Sequence, residues 1–340
     1  MAVVKRWPIL IIVSMMFFIS CIYYSKFESE FVTDLHNIST ASEGPATELS
    51  GKATIQKSQD AAFPAISYVN ATFFIEVSGK PDLSYRQKCA VEAAATAHSN
   101  YPVIVYMTGF NGTRSPWTKP FKNMEIRTLN LDELFLNTHL EKVYTAKGFR
   151  EKPVIEHVAD LSRIALLKKH GGLYLDIDMI LMKSALVFES FILKNQGNGV
   201  LRLNETSPLL AKFYEKLGDV AYKRGDYTLL GSKIIRQAVK EMCHLNNTAA
   251  NFKTAAELCH INFVDDKVFE PVAWFEFKKL FSKDVDLSKF RSNIMKKAVA
   301  FHFAGHVTNN IPVFKNSSSL FNEIAKKYCP IMFRNFPSKY

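Results

Sequence analysis

Residues 160–181 read DLSRIALLKKHGGLYLDIDMIL, a stretch whose hydrophobic period changes halfway along. From Leu161 to Leu167 the apolar residues Leu161, Ile164 and Ala165 follow the three-to-four spacing of a helix face. Lys168, Lys169 and His170 then supply a basic last turn, which suits a helix carboxyl end. Gly171 and Gly172 stop that helix. From Leu173 the pattern alternates. Leu173, Leu175, Ile177, Met179 and Leu181 point one way, while Tyr174, Asp176, Asp178 and Ile180 point the other. The expectation is one strand carrying two carboxylates on a single face. An ionised carboxylate without a partner in such a strand costs several kcal/mol or is neutralised, so the pair implies a cation.

A divalent metal or a set of basic side chains, Arg163 among them, can supply that cation. Oxygen ligands at a strand end favour Mg²⁺ or Mn²⁺, which keep open positions for substrate phosphates, so a diphosphate is the natural third party. A calcium loop is excluded because neither its turn glycine nor its later acidic residues follow at the required offsets. Upstream, residues 73–77 (FFIEV) and 102–107 (PVIVYM) read as buried parallel strands, with a crossover helix over residues 88–98. Alternation of this kind predicts an α/β, Rossmann-like sheet with its ligand at the carboxyl edge. A dehydrogenase is disfavoured: no G-x-G-x-x-G follows the first strand, and Gly171-Gly172 precedes a strand instead of opening a helix. The net charge of +11 is spread over scattered lysines and forms no stripe, so no nucleic-acid partner is expected.

Further out, residues 7–24 are 18 uncharged and mostly apolar residues directly after Lys5 and Arg6. That length just spans a bilayer core, and the positive flank leaves the tail in the cytosol. The region around Ser20 and Cys21 offers no small-residue cleavage site, so an uncleaved anchor is expected in preference to a signal peptide. The domain plan is a cytosolic tail (1–6), a transmembrane anchor (7–24), a polar flexible stem (25–68) and a lumenal folded domain (69–340). Lumenal exposure predicts N-x-S/T acceptors beyond the anchor, and Asn37, Asn70, Asn111, Asn204, Asn246 and Asn316 each begin one. Cys89, Cys243, Cys259 and Cys329 form an even set for which three pairings exist. The local loop Cys243 with Cys259, leaving Cys89 with Cys329, is the preferred one.

The central stretch resembles the signature of the α-1,4-glycosyltransferases of glycosyltransferase family 32, D-x-S-R-x-x-x-L/W-x-x-x-G-G-x-Y-x-D-x-D. Asp160, Ser162, Arg163, Gly171, Gly172, Tyr174, Asp176 and Asp178 stand at the matching places. Blocks similar to the family's run from Phe73 to Pro330, among them NGV (198–200), INFVDDKVFEPVAW (261–274), AVAFHF (298–303) and YCP (328–330). The resemblance implies a nucleotide-sugar-binding domain of glycosyltransferase A type on a Golgi type II membrane enzyme. It also implies Mn²⁺ (or Mg²⁺) as cofactor and a UDP-sugar as donor. Asp178 would be the direct metal ligand; Asp176 would assist it and hold donor hydroxyls, and His302 would add a further ligand, with His306 the weaker candidate. Asp160 and Arg163, placed at the start of the helix, would grip donor-sugar hydroxyls or phosphate, unless they are an N-cap and a surface ion pair. Tyr174 would contact the donor or pack beneath the sheet, and Glu270 and Trp274 would approach the acceptor.

The activity implied is a retaining transfer of galactose or N-acetylgalactosamine from UDP, in α-1,4 linkage, to a glycosphingolipid such as lactosylceramide. The alternatives are an α-1,4-N-acetylglucosaminyltransferase acting on protein-linked glycans and an inactive homologue that assists a partner transferase. Three blocks depart from the family: W-x-x-Q-G-P reads YTLLGS (227–232), H-P-x-x-F-Y-P reads DDKVFEP (265–271), and H-x-W-N reads HFAG (302–305). None of them removes a candidate metal ligand.

Overall fold

The computed structural model describes residues 70–113, 115–245, 252–282, 288 and 296–340. The expected tail, anchor and stem, together with Asn37 and Asn246, lie outside those residues. Among the described residues no helix is long and apolar enough to cross a membrane.

Strand β1 (Thr72–Glu76) and strand β2 (Val103–Met107) are buried along their whole lengths, as apolar runs without alternation require when both faces of a sheet are covered. Helix α1 (Tyr85–Ala97) crosses between them. It begins three residues before the expected Lys88 because Ser84 and Gln87 form a capping box: the Ser84 side chain accepts from the Gln87 N–H, and the Gln87 side chain accepts from the Ser84 N–H. The remaining strands are β3 (Met124–Thr128), β4 (Gly172–Leu175), β5 (Met179–Leu181), β6 (Phe191–Leu193), β7 (Val200–Leu203), β8 (Asn262–Val264) and β9 (Ala300–His302). Seven strands make one sheet in the order β3-β2-β1-β4-β7-β6-β8, and β5 pairs with β9 in a second, two-stranded sheet. The run β3-β2-β1-β4 is parallel, whereas β7 pairs antiparallel with both β4 and β6. The α/β architecture with a parallel sheet therefore stands. Strand order reverses between β1 and β4, and a ligand crevice opens at the carboxyl ends of strands at such a switch point.

Helices α2 (Ile155–His170), α3 (Pro208–Gly218) and α4 (Ser232–Met242) share one core with Phe73, Ile75, Ile104 and Tyr106 through Leu161, Ile164, Phe213 and Ile234. Residues 73 and 75, and likewise 104 and 106, fall in that core because a strand repeats every second residue. A second core joins α1 to β5, β9 and the carboxyl-terminal helices. Helix α1 carries three ties to the last part of the chain. Arg86 Nη1 donates to the Thr308 carbonyl at 2.9 Å; Cys89 is joined to Cys329; the Glu92 carboxylate accepts from the Ile331 and Met332 N–H groups at 2.8 and 2.6 Å. The second disulfide joins Cys243, at the end of α4, to Cys259, at the end of α5 (Phe252–Cys259), so both preferred pairings are present. Asn111, Asn204 and Asn316 are exposed. Asn70 is half-buried, and its Oδ1 accepts from Arg202 Nη2 at 2.8 Å.

Two sequence expectations need correction. The alternating run over 173–181 is not one strand. It is β4 and β5 in different sheets, joined by a turn in which the Met179 N–H donates to the Asp176 carbonyl at 3.0 Å. Period-two alternation continues through the turn because Ile177 keeps its apolar parity. Helix α2 likewise starts at Ile155, after Pro153, with Val154 in the cap position and no side-chain cap. Asp160 therefore sits inside the helix, and the N-cap reading fails. The helix does end where the glycines put it: Gly171 and Gly172 have φ of +65° and +105°, and the Gly171 N–H donates to Leu167 O at 2.7 Å.

His98, at the end of α1, is 1% exposed. Its Nε2 accepts from the Ala185 N–H at 3.1 Å, so Nδ1 carries the proton, 2.8 Å from Thr72 Oγ1. Burial, assisted by the charge of Arg202, pushes its pKa down to about 4. The unfolded chain then binds the proton more tightly than the fold, so stability is present above pH ~6.5 and is lost as the pH falls towards 4. Denaturant titrations at pH 7 and pH 4.5 are expected to differ by up to about 3 kcal/mol from this residue alone. His98→Gln should flatten that difference.

Candidate active site

Asp176 is the first residue past β4, at the carboxyl edge beside the switch point, and its N–H still donates at 2.8 Å to the carbonyl of Gly199, the residue before β7. Its carboxylate is held from below. Tyr174 Oη donates to Asp176 Oδ1 at 2.6 Å, and Arg163 Nη1 lies 3.2 Å from the same oxygen. Arg163 also pairs with Asp160 at 3.0 Å, donates to the Asn198 carbonyl at 2.6 Å, and lies 4.6 Å over the Tyr174 ring. Asn198 Nδ2 closes the network by donating to Asp160 Oδ1 at 2.7 Å. Spacing of three residues on one helix brings Asp160 and Arg163 together, as the sequence implied. They form a buried pair, with side chains 8% and 6% exposed, and the surface ion-pair reading fails with the N-cap one.

Burial pushes the Asp160 carboxyl up to about 6, with Arg163 pulling it only part of the way back. Burial likewise holds Asp176 above the usual carboxylate range against the pull of Arg163. Asp178 behaves differently. Burial works against its charge too, but His302 and the Gly305 N–H outweigh it and hold the carboxyl below its ordinary value. The distances explain the difference: His302 Nε2 is 3.0 Å from Asp178 Oδ1, and the Gly305 N–H donates to Asp178 Oδ2 at 2.5 Å. Antiparallel pairing of β5 with β9 sets Met179 opposite His302, which delivers the imidazole to the turn. Ala304, in the left-handed region at φ +47°, then turns the chain so that Gly305 faces the carboxylate. Burial opposes charge on His302, but Asp178 overrides it and raises the imidazole well above its ordinary pKa.

Asp176, Asp178 and His302 each offer one ligand atom, and those atoms all lie within 4.8 Å of one another. Two carboxylate oxygens and one imidazole nitrogen suit Mn²⁺ or Mg²⁺. The carboxylates and the imidazole are 25%, 18% and 16% exposed, so the group opens to a ligand. At the same edge, past β1 and β2, Ser78 Oγ and Thr108 Oγ1 are buried with no hydrogen-bond partner. Tyr174 is 1% exposed and reaches the open site only through Asp176. His306 pairs instead with Glu156 at 2.7 Å and is two-thirds exposed. The Trp274 side chain lies outside the described residues.

Several groups escaped the sequence reading. Asn198 and Gly199 were visible only as part of NGV, yet a Cβ at Gly199 would come within 2.9 Å of Asp176 Oδ2. Gly231 is the one retained feature of the divergent YTLLGS block, and a Cβ there would meet Asn198 Nδ2 at 2.4 Å and Asp160 Oδ2 at 2.7 Å. Glu270, weighed for the acceptor, lies 3.5 Å from His302 Nδ1.

Comparison with known proteins agrees with the motifs. Residues 84–198 match the glycosyltransferase sugar-binding region containing the DXD motif, and residues 203–336 match the α-1,4-glycosyltransferase conserved region. Lactosylceramide 4-α-galactosyltransferase of Rattus norvegicus is 27% identical, over 80% of this chain and 78% of that protein. α-1,4-N-acetylglucosaminyltransferase of Homo sapiens is 22% identical, over 82% of this chain and 84% of that protein. Among solved structures, PaToxG glycosyltransferase aligns with a TM-score of 0.41 and 15% identity, over 56% of this chain and 78% of that one.

Proposed function

We propose, from the matches of residues 84–198 to the DXD sugar-binding region and of residues 203–336 to the α-1,4-glycosyltransferase conserved region, that the chain is an α-1,4-glycosyltransferase that moves galactose or N-acetylgalactosamine from UDP to a glycosphingolipid. The acceptor class is a terminal sugar of the lactosylceramide kind, the linkage α-1,4, and the anomeric configuration is retained. The observation that carries the reading is the convergence of Asp176, Asp178 and His302 at the carboxyl edge of the sheet's switch point.

In this reading the bond from the anomeric carbon to the diphosphate breaks, and the phosphate oxygen leaves with the electron pair. A bond from the same carbon to the acceptor hydroxyl oxygen forms, and the hydroxyl proton leaves with the released UDP, on the phosphate oxygen that departed. Asp176, Asp178 and His302 would hold Mn²⁺ or Mg²⁺, which acts as a Lewis acid towards the charge developing on the diphosphate. Asp178 is fixed for that role by the Gly305 N–H, and Asp176 by Tyr174 and Arg163. Asp160, held by Asn198 and Arg163, would grip donor-sugar hydroxyls, and Gly231, where a Cβ would clash with Asn198 and Asp160, lets the backbone pass close beside it. Residence in the Golgi membrane as a type II protein, with residues 7–24 as the anchor and 69–340 in the lumen, completes the proposal.

The test is product formation by the purified full chain offered lactosylceramide and an N-acetylglucosamine-terminated glycan, with UDP-galactose, UDP-N-acetylgalactosamine and UDP-N-acetylglucosamine in turn. Transfer from one of the first two donors to lactosylceramide, lost on chelation and restored by Mn²⁺, is the expected result. Transfer from UDP-N-acetylglucosamine alone would move the assignment to the second relative's activity. UDP binding without any transfer would favour an inactive homologue that assists a partner.

A further inference from the structure

His302 is gripped from both sides. Its Nε2 faces Asp178 Oδ1 at 3.0 Å, while its Nδ1 faces Glu270 Oε1 at 3.5 Å. An imidazole gives a metal one unprotonated nitrogen; the other nitrogen then carries the proton and needs an acceptor that sets the tautomer and the ring orientation. Glu270 stands where that acceptor belongs, and it is itself held in place. Asn195 Nδ2 lies 3.4 Å from Glu270 Oε2, the Asn195 N–H donates to Asp266 Oδ1 at 2.8 Å, and the Glu270 N–H donates to the Asp266 carbonyl at 2.7 Å. Gly199 lies beside both carboxylates: a Cβ there would crowd Asp176 Oδ2 at 2.9 Å and touch Glu270 Oε1 at 3.6 Å. On the far side the Phe277 ring sits 6.1 Å from the imidazole and limits its swing. Glu270 lies in the divergent DDKVFEP block, so this carboxylate is a feature of this chain and not of the H-P-x-x-F-Y-P pattern.

Resting on the metal reading of Asp176, Asp178 and His302, we propose that Glu270 is a positioning residue. It accepts the Nδ1 proton of His302 in a hydrogen bond and locks the tautomer that presents Nε2 to the cation. A carboxylate behind a metal-bound histidine raises the ligand's basicity and removes its rotational freedom, and loss of such a partner typically weakens metal affinity about 10- to 100-fold.

The experiment measures Mn²⁺ binding to the purified full chain with UDP present, from the electron paramagnetic resonance signal of free Mn²⁺. Glu270→Ala is expected to weaken binding about 10- to 100-fold. Glu270→Gln keeps an acceptor oxygen and should recover most of that loss. With diamagnetic Mg²⁺, a histidine ¹H–¹⁵N correlation should show His302 protonated on Nδ1 in the parent, and mixed tautomers in Glu270→Ala. Metal-free melting temperatures of the two variants should match the parent, because this side chain is a quarter exposed. Unchanged Mn²⁺ affinity in Glu270→Ala, or a Gln variant as weak as the Ala variant, overturns the assignment. Asp178→Ala separates the two levels: loss of Mn²⁺ there with full binding in Glu270→Ala refutes the role of Glu270 alone. Retention of Mn²⁺ in Asp178→Ala refutes the metal reading and the inference with it.

Discussion

Replacing Asp178 by alanine is expected to lower sugar transfer by about a thousandfold or more while the fold survives. The magnitude follows from the several kcal/mol that a metal ion contributes to leaving-group charge, each 1.4 kcal/mol being about tenfold in rate. Two effects separate this residue from its neighbours. Asp178 is the carboxylate of the pair held below its ordinary pKa, so it stays ionised and ready to bind a cation over the whole working range. Its loss also strands His302, whose Nε2 then faces no carboxylate oxygen, and the Gly305 N–H, which loses its acceptor. Asp178→Asn keeps the size and an acceptor oxygen but removes the charge, so it should be nearly as inactive. The discriminating measurement is UDP binding with and without Mn²⁺: the parent binds more tightly with the metal, and the variant should show no difference. Equal metal enhancement in the variant would rule out a ligand role for Asp178.

Removing Arg163 is expected to cost stability first and activity second. Its guanidinium, 6% exposed, touches Asp160 and Asp176 at 3.0 and 3.2 Å, and no other cation is paired with either carboxylate among the described residues. Taking one partner out of a buried ion cluster leaves uncompensated charge and costs about 3–5 kcal/mol. For a domain of this size that corresponds to a melting temperature lower by roughly 10 °C. Arg163→Met preserves most of the stem's packing over the Tyr174 ring, so the loss measures charge and hydrogen bonding more than volume. The double variant Asp160→Asn with Arg163→Met should regain part of the deficit, because one of the stranded charges is gone. If Arg163→Met melts with the parent, the buried network is not what holds the turn.

The parts of this design that were legible from sequence are those that depend on neighbours along the chain. The Phe-Phe-Ile and Val-Ile-Val runs, the glycine stop after His170, and the three-residue spacing of Asp160 and Arg163 are all local, and all appear as expected. The turn over residues 176–178 was hidden because Ile177 preserves the alternation of a strand while the backbone doubles back. The start of α2 was hidden because Val154 offers no polar cap. What sequence periodicity could not reach is the far wall of the site. Asn198 and His302 reach Asp160, Asp176 and Asp178 through the β4–β7 and β5–β9 pairings, and Glu270 follows β8, which pairs with β6; the His302–Asp178 contact spans 124 residues of sequence. His302 was found by resemblance of its block, and Glu270 fell where the resemblance fails.

The three ties on α1 bear on how the protein comes into being. A chain is made from its amino end, so Arg86, Cys89 and Glu92 emerge and wait, while their partners at Thr308, Cys329, Ile331 and Met332 follow 222 to 240 residues later. Until residue 329 has been made, Cys89 is an unpaired thiol, and α1 is held to the segment after β9 through Arg86 and Thr308 without the disulfide or the Glu92 contacts. A product truncated before residue 329 therefore keeps Cys89 as a free thiol, open to mixed disulfides with other thiols.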